Sequence, residues 1–215
     1  MGPRIGKGGF GTVRLVRSKK ESLWYACKAI PKVLKGGLCS RAYLEKLRNE
    51  VRRAGLVATH VPARTQRARA STGLRLWLCA QVLCMQQLGV SLDTVYLRDV
   101  YEDKANLYLI QDVCGGGSLA QRLDRTASGL GEERTREAVR SILRFLQQCH
   151  CKGIVYRDVK PSNFLFLTRD EHSPMKASDL GLAVRWKPGN EKLRGKTGTL
   201  LYMAPEVLLK VRDGA

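Results

Sequence analysis

Three groups of residues in this sequence carry side chains or backbone that can do chemistry. Near the start, Gly6, Gly8 and Gly11 stand in the spacing G-x-G-x-x-G. Glycine lacks a Cβ, so backbone N–H groups in such a run can approach a phosphate without side-chain obstruction. Next comes Lys28, an amine inside the strand-like run SLWYACKAI at 22–30. Far downstream lie Asp158, Lys160, Asn163 and Asp179. Carboxylate and amide oxygens are hard donors of the kind Mg²⁺ prefers, and a positioned carboxylate can also take a proton from an alcohol. Asp and Asn serve equally well as turn caps, which is the plain structural alternative for these positions.

The glycine spacing alone does not decide the chemistry. Dinucleotide-binding loops use the same glycines, but such a loop opens a helix and is followed by an acidic residue roughly 20 positions on. Here Gly6, Gly8 and Gly11 lie between two strand-like runs, and Ala26-Cys27-Lys28 follows instead. Further along stand Tyr156-Arg157-Asp158-Val159-Lys160-Pro161-Ser162-Asn163, then Asp179-Leu180-Gly181, then Ala204-Pro205-Glu206. In this order the motifs resemble the catalytic domain of eukaryotic-type Ser/Thr protein kinases. The phrases RDVYEDKANLYLI, GGGSL, RWKPGN and APEVLL look most like the calcium/calmodulin-dependent kinases and the plant and algal calcium-dependent kinases.

That resemblance implies ATP and Mg²⁺ as cofactors and proteins as substrates. It implies that Gly6, Gly8 and Gly11 cover the ATP phosphates, and that Lys28 contacts the α- and β-phosphates, positioned by Glu50. Val13 and Ala26 would roof the adenine. The backbone of Asp112 and Val113, after Gln111, would bond its edge. Asp158 would accept the substrate hydroxyl proton, Lys160 would contact the transferred phosphate, and Asn163 and Asp179 would hold Mg²⁺. Thr199 resembles the threonine that bonds the catalytic Asp. Two departures, Tyr156 for the usual His and Leu180 for the usual Phe, are expected to pack as apolar bulk. Ser162 and Ser118 stand where related chains carry acids, which weakens any expectation of arginine-directed substrates. Arg157 would usually meet a phosphate, for which Thr197 is the nearest acceptor.

The elements that must position these groups are legible as periodicities. Residues 4–15 and 22–30 read as antiparallel strands, 41–50 as a helix, and 94–102 with 107–113 as a hairpin. The clearest helix spans 132–152, with a stripe of Val139, Ile142, Leu143, Leu146 and Cys149. Glu132 and Glu133 suit its first turn and Gly153 its stop. Strand-rich first and helix-rich second predicts an α+β, two-lobed, protein-kinase-like fold. The expected division is a β-rich N-lobe over 1–113 and a helical, incomplete C-lobe over 114–215. Similar kinases continue with several helices beyond Glu206, so the chain is expected to be C-terminally truncated, and unstable or inactive alone.

The 215 residues carry 38 Lys and Arg against 19 Asp and Glu, a net charge of +19. Six arginines (52, 53, 64, 67, 69 and 75) fall in 51–81, which has no Asp, Glu or Lys. This segment reads as a retained intron, since its removal joins Glu50 to Val82-Leu83-Cys84-Met85 and restores a helical pattern; a genuine insert and a basic nucleic-acid arm are the alternatives. Nucleic acid is not the expected partner. Seven cysteines without C-x-x-C spacing argue against a disulfide framework or a zinc site. No stretch has the ~18 apolar residues of a membrane span, and the N-terminus lacks a signal pattern, so the expectation is an intracellular, cytoplasmic protein. No run fits a calcium-binding EF-hand loop, which puts any calcium sensor outside the chain. The competing readings are a non-catalytic kinase-like module and an inactive fragment.

Overall fold

A computed structural model describes residues 2–8, 11–31, 81–103, 105–126, 129–186, 189, 193 and 196–209. The expected helix 41–50, Glu50 and all of 51–81 except Gln81 lie outside the described residues. The chain divides into two compact units: Met1–Gly89 with Tyr96–Val113, and Val90–Val95 with Cys114–Ala215.

The first unit is built on an antiparallel sheet in the order β1-β2-β3-β5-β4. Its strands are β1 (Arg4–Gly8), β2 (Gly11–Arg17), β3 (Trp24–Pro31), β4 (Leu97–Glu102) and β5 (Asn106–Gln111). Residues facing each other across antiparallel strands project to the same side. The pairs Val13–Lys28, Ala26–Gln111 and Lys28–Leu109 therefore put Val13, Ala26, Lys28, Leu109 and Gln111 on one face. β3 includes Pro31, one residue beyond the expected end. Proline has no N–H to give, and the last rung of a strand tolerates that loss. A helix over 81–88, α1, buries Val82, Cys84, Met85 and Leu88. These apolar positions follow helical spacing.

β4 starts at Leu97 rather than at 94 because the preceding residues belong to the second unit. There Val95 N–H donates to Ala177 O (2.9 Å), and Ala177 N–H donates to Asp93 O (2.8 Å). Lys176 Nζ donates to Ser91 O (2.9 Å), and Arg144 pairs with Asp93 (3.1 Å). The segment 90–95 is thus held by backbone bonds that no periodicity announces.

The second unit contains α2 (Leu119–Asp124), α3 (Glu132–Cys151) and α4 (Pro205–Leu209), with two-stranded ribbons of β6 (Ile154–Val155) with β9 (Val184–Arg185) and β7 (Phe164–Phe166) with β8 (Met175–Ala177). Ser118 caps α2: its hydroxyl accepts from Gln121 N–H, and Gln121 Oε1 returns to Ser118 N–H. α3 carries Glu132 and Glu133 in its first turn, where they complement the positive end of the helix dipole. It stops at Gly153, whose φ of 64° is the left-handed conformation glycine adopts without strain.

Its buried face differs from the expected stripe. Phe145 and Cys149 are fully buried, whereas Val139 (46% exposed) and Leu143 (59%) face solvent. The core selects Phe145 because the ring meets two others edge-on: Tyr156 at 4.9 Å and Phe164 at 6.0 Å. Edge-to-face aromatic pairs add to the burial of large side chains. Phe145→Ala should therefore cost about 3–5 kcal/mol, while Leu143→Ala should cost under about 1 kcal/mol; denaturant melts of the two variants check the contrast.

Candidate active site

In the first unit, β1 pairs with β2 so that Gly8 stands opposite Gly11 and Gly6 opposite Val13. A Cβ at Gly11 would lie 2.2 Å from the carbonyl oxygen of Ala29. That approach is to backbone, which cannot swing away, so glycine is required for β2 to lie this close to β3. Lys28 is 4% exposed and sits centrally on β3. Ala26 is buried two residues before it, and Val13 lies directly across from it. At the end of β5, Gln111 is buried, with its Nε2 donating to Met85 Sδ (3.6 Å). Asp112 N–H donates to Tyr96 O (3.1 Å), so this N–H is engaged within the fold. The Asp112 carboxylate takes Arg98 Nε (2.7 Å).

The second unit assembles the other predicted residues into one network. Asp158 is 7% exposed. Its Oδ1 accepts from Thr199 Oγ1 (2.7 Å), and its Oδ2 accepts from Asn163 Nδ2 and pairs with Lys160 Nζ, both at 2.8 Å. Lys160 Nζ also donates to Thr199 Oγ1 (2.7 Å), so the threonine hydroxyl donates one bond and accepts another. Burial pushes the Asp158 carboxyl up. Hydrogen bonds from Lys160, Thr199 and Asn163, together with the Lys160 charge, outweigh burial and hold it below the ordinary Asp value.

Asn163 closes the short turn Pro161–Asn163 and enters β7. Asn163 O accepts from both Ser178 N–H (2.8 Å) and Ser178 Oγ (2.9 Å). Ser178 directly precedes Asp179, so the β7–β8 ribbon fixes Asp179 relative to Asn163. Asp179 itself has φ 44°, and Arg157 has φ 65°. Left-handed backbone at non-glycine residues persists only where surrounding bonds enforce it, and such strain gathers at functional sites. The Asp179 carboxylate accepts from Gly181 N–H (3.2 Å), and Arg157 Nε donates to Leu182 O (2.7 Å).

Tyr156 and Leu180 are both buried, as expected of apolar bulk. The tyrosine does more: its hydroxyl donates to Ser178 O (2.9 Å). Burial, then the nearby Asp179 charge, pushes this phenol well above its ordinary value, so it remains a donor. The sequence reading missed Ser178, whose only signal is its place beside Asp179. It also gave Ser118 no capping role, although Ser at 118 with Gln at 121 is a capping-box spacing.

Among the described residues, no group of three or more His, Cys, Asp or Glu could hold a metal by itself. Mg²⁺ in nucleotide sites is commonly held by one or two protein oxygens, with substrate phosphates completing its shell. Asn163 meets the requirement: its Nδ2 is committed to Asp158, which leaves Oδ1 for such a role.

The first unit thus holds glycines against a strand backbone and a buried lysine, and the second holds a hydrogen-bonded Asp-Lys-Asn-Thr cluster. The protein kinase domain family matches residues 77–214. Calcium-dependent protein kinase 34 of Arabidopsis thaliana is 34% identical over 209 residues, covering 97% of this chain and 33% of that protein. Calcium-dependent protein kinase 1 of Oryza sativa subsp. japonica is 36% identical over 208 residues, covering 96% and 33%. The chain belongs to the protein kinase domain family, and its likeness there is to serine/threonine kinases of the calcium-dependent kind. It spans about a third of the length of these curated relatives.

A carboxyl whose value is lowered by folding contributes stability above its unfolded value, near 3.9, and loses it as pH falls through the folded value. Thr199→Val removes one donor to Asp158 and one acceptor for Lys160. Acid unfolding of that variant, followed by circular dichroism, should begin at higher pH than in the parent.

Proposed function

We propose that this chain transfers the γ-phosphoryl group of ATP to serine or threonine hydroxyls of protein substrates. The observation that carries this reading is the closed network of Asp158, Lys160, Asn163 and Thr199. Its depressed value keeps Asp158 ionised at neutral pH. Such a carboxylate readily accepts a hydrogen bond from an alcohol and orients its oxygen. It is too weak a base to remove the proton fully beforehand, so proton transfer follows the approach to phosphorus. Phosphoryl transfer asks mainly for positioning and charge stabilisation, so a positioning carboxylate suffices.

Lys160 lies beside Asp158 and supplies positive charge where the transferred group would pass. Asn163 Oδ1 and the Asp179 carboxylate are the oxygens we assign to Mg²⁺, which when bound neutralises phosphate charge. In the first unit, Lys28 is the amine for the α- and β-phosphates, and Gly6, Gly8 and Gly11 leave the backbone open to them. Val13 and Ala26 share the Lys28 face of the sheet and suit an apolar base. The carbonyl of Asp112 and the backbone of Val113 are the groups we assign to the adenine edge. Glu50 lies outside the described residues and is proposed on sequence alone.

Protein substrates follow from the family. Ser162 and Ser118 stand where an acidic pair would favour arginine-bearing substrates, and Ser118 is engaged as a helix cap. We therefore propose substrates without a strict requirement for arginine. Among the described residues, no helix is long and apolar enough to cross a membrane.

The test is transfer of labelled phosphate from ATP and Mg²⁺ to a mixed Ser/Thr peptide library by the full chain. Asp158→Asn should lower kcat by about 10²- to 10⁴-fold with little change in ATP binding. Asp179→Ala should abolish Mg²⁺-dependent transfer. Equal rates in parent and both variants would remove the kinase reading.

A further inference from the structure

One cavity of the second unit has walls that carry more positive than negative charge. It has a volume of about 310 Å³ and is lined from α2, α3 and the loop that joins β7 to β8. Arg122 comes from α2, and Arg134, Arg140 and Arg144 come from α3. Glu137 and Glu171 are the carboxylates on the same walls. Four guanidiniums against two carboxylates leave a surplus of two positive charges. None of these residues takes part in the network around Asp158.

The fold satisfies the arginine N–H groups without cancelling that surplus. Arg122 lies over the Phe166 ring, 3.5 Å from its centroid. It donates to the carbonyls of Asp170 (2.8 Å), Glu171 (2.9 Å) and Thr168 (3.2 Å). Neutral oxygens accept its hydrogen bonds but leave its charge in place. Burial, then the Arg125 and Arg134 charges, hold this guanidinium below its ordinary value, and Asp170 offsets only part of the effect. Arg134 pairs with Glu171. Arg144 pairs with Asp93 (3.1 Å), which does not line the cavity. Arg140 is exposed and makes no ion pair among the described residues, although Glu137 stands three positions before it on α3.

We propose that this cavity is a binding site for a phosphoserine or phosphothreonine side chain presented by a peptide. A phosphate monoester carries close to two negative charges at neutral pH, which answers the surplus on the walls. A lone carboxylate would answer half of it. The planar guanidinium fork matches phosphate oxygens in geometry as well as charge. The volume is at the small end for ligand cavities, suited to one modified side chain rather than a large ligand. Arg122 and Arg134 are already held by the fold, so their placement costs little on binding, and Arg140 is left to close on the ligand. The site uses only charges of the second unit. It goes beyond phosphoryl transfer and stands independently of it.

The experiment follows fluorescence anisotropy of labelled peptides with the full chain. One degenerate peptide set carries a central phosphoserine or phosphothreonine, and matched sets carry Ser, Thr or Glu there. The phosphorylated set should bind about tenfold or more tightly than the others, the weight of one hydrogen bond between charged groups. Arg140→Gln should weaken phosphopeptide binding by about tenfold on the same ground. Arg136→Gln removes an arginine of the same helix that pairs with Glu132 and does not line the cavity, so it should stay within about threefold of the parent. The proposal is overturned if phosphorylated, unphosphorylated and Glu peptides bind alike, if Arg140→Gln binds like the parent, or if Arg136→Gln is as weak as Arg140→Gln. Displacement of the phosphopeptide by an equal concentration of a single-stranded oligonucleotide would also overturn it, by showing an unselective polyanion surface.

Discussion

A carboxylate that gives up nearly all its hydration must have it replaced, or it neutralises. Asp158 is in that position, and much of the second unit is arranged around the replacement. Three donors close on it, Lys160 and Asn163 from the following turn and Thr199 from 41 residues on, and the Asn163 amide also donates to the Asp158 carbonyl. Each donor is itself fixed. Lys160 bonds Thr199 as well as Asp158, so neither can move without exposing the other to an unpaired buried group. The arrangement resists partial disruption, because removing one member leaves a charge or a hydroxyl unsatisfied.

Beneath that network lies an aromatic layer. Phe145 from α3 meets Tyr156 and Phe164 edge-on, and these two rings bracket residues 157–163 in sequence. Tyr156 couples the layer to the polar site, because its hydroxyl ends on Ser178 O, immediately before Asp179. Ser178 in turn bonds Asn163. Asn163 and Asp179, separated by a whole β-ribbon in sequence, are thereby set in register by short-range bonds. The exposed Val139 and Leu143 show that α3 spends its packing on these rings rather than on its most regular apolar stripe.

The first unit meets a different constraint. Its sheet must bring β2 close enough to β3 that a side chain at position 11 would collide with Ala29 O, and it must bury an ammonium at Lys28. Both demands fall on the face shared by Val13, Ala26 and Gln111. The helix 81–88 buries apolar side chains but also carries buried amide atoms of Gln81 and Gln86 that make no hydrogen bond.

Residue type and order in the sequence determined the family, the α+β class, the strands flanking the glycine turn, and the span of α3 to within a residue. Those features depend on local spacing, which a linear text records. Tertiary structure alone decided that 90–95 join the second unit, that β5 ends at Gln111, that Phe145 rather than Val139 or Leu143 enters the core, and that Tyr156 and Ser178 carry polar bonds into the site. It also decided that Gln81 is buried without partners. In each case the deciding contact comes from a residue far away in the chain, or from a backbone atom with no side-chain signature. Periodicity reports which face of an element is apolar; only the assembled core determines which part of that face is covered.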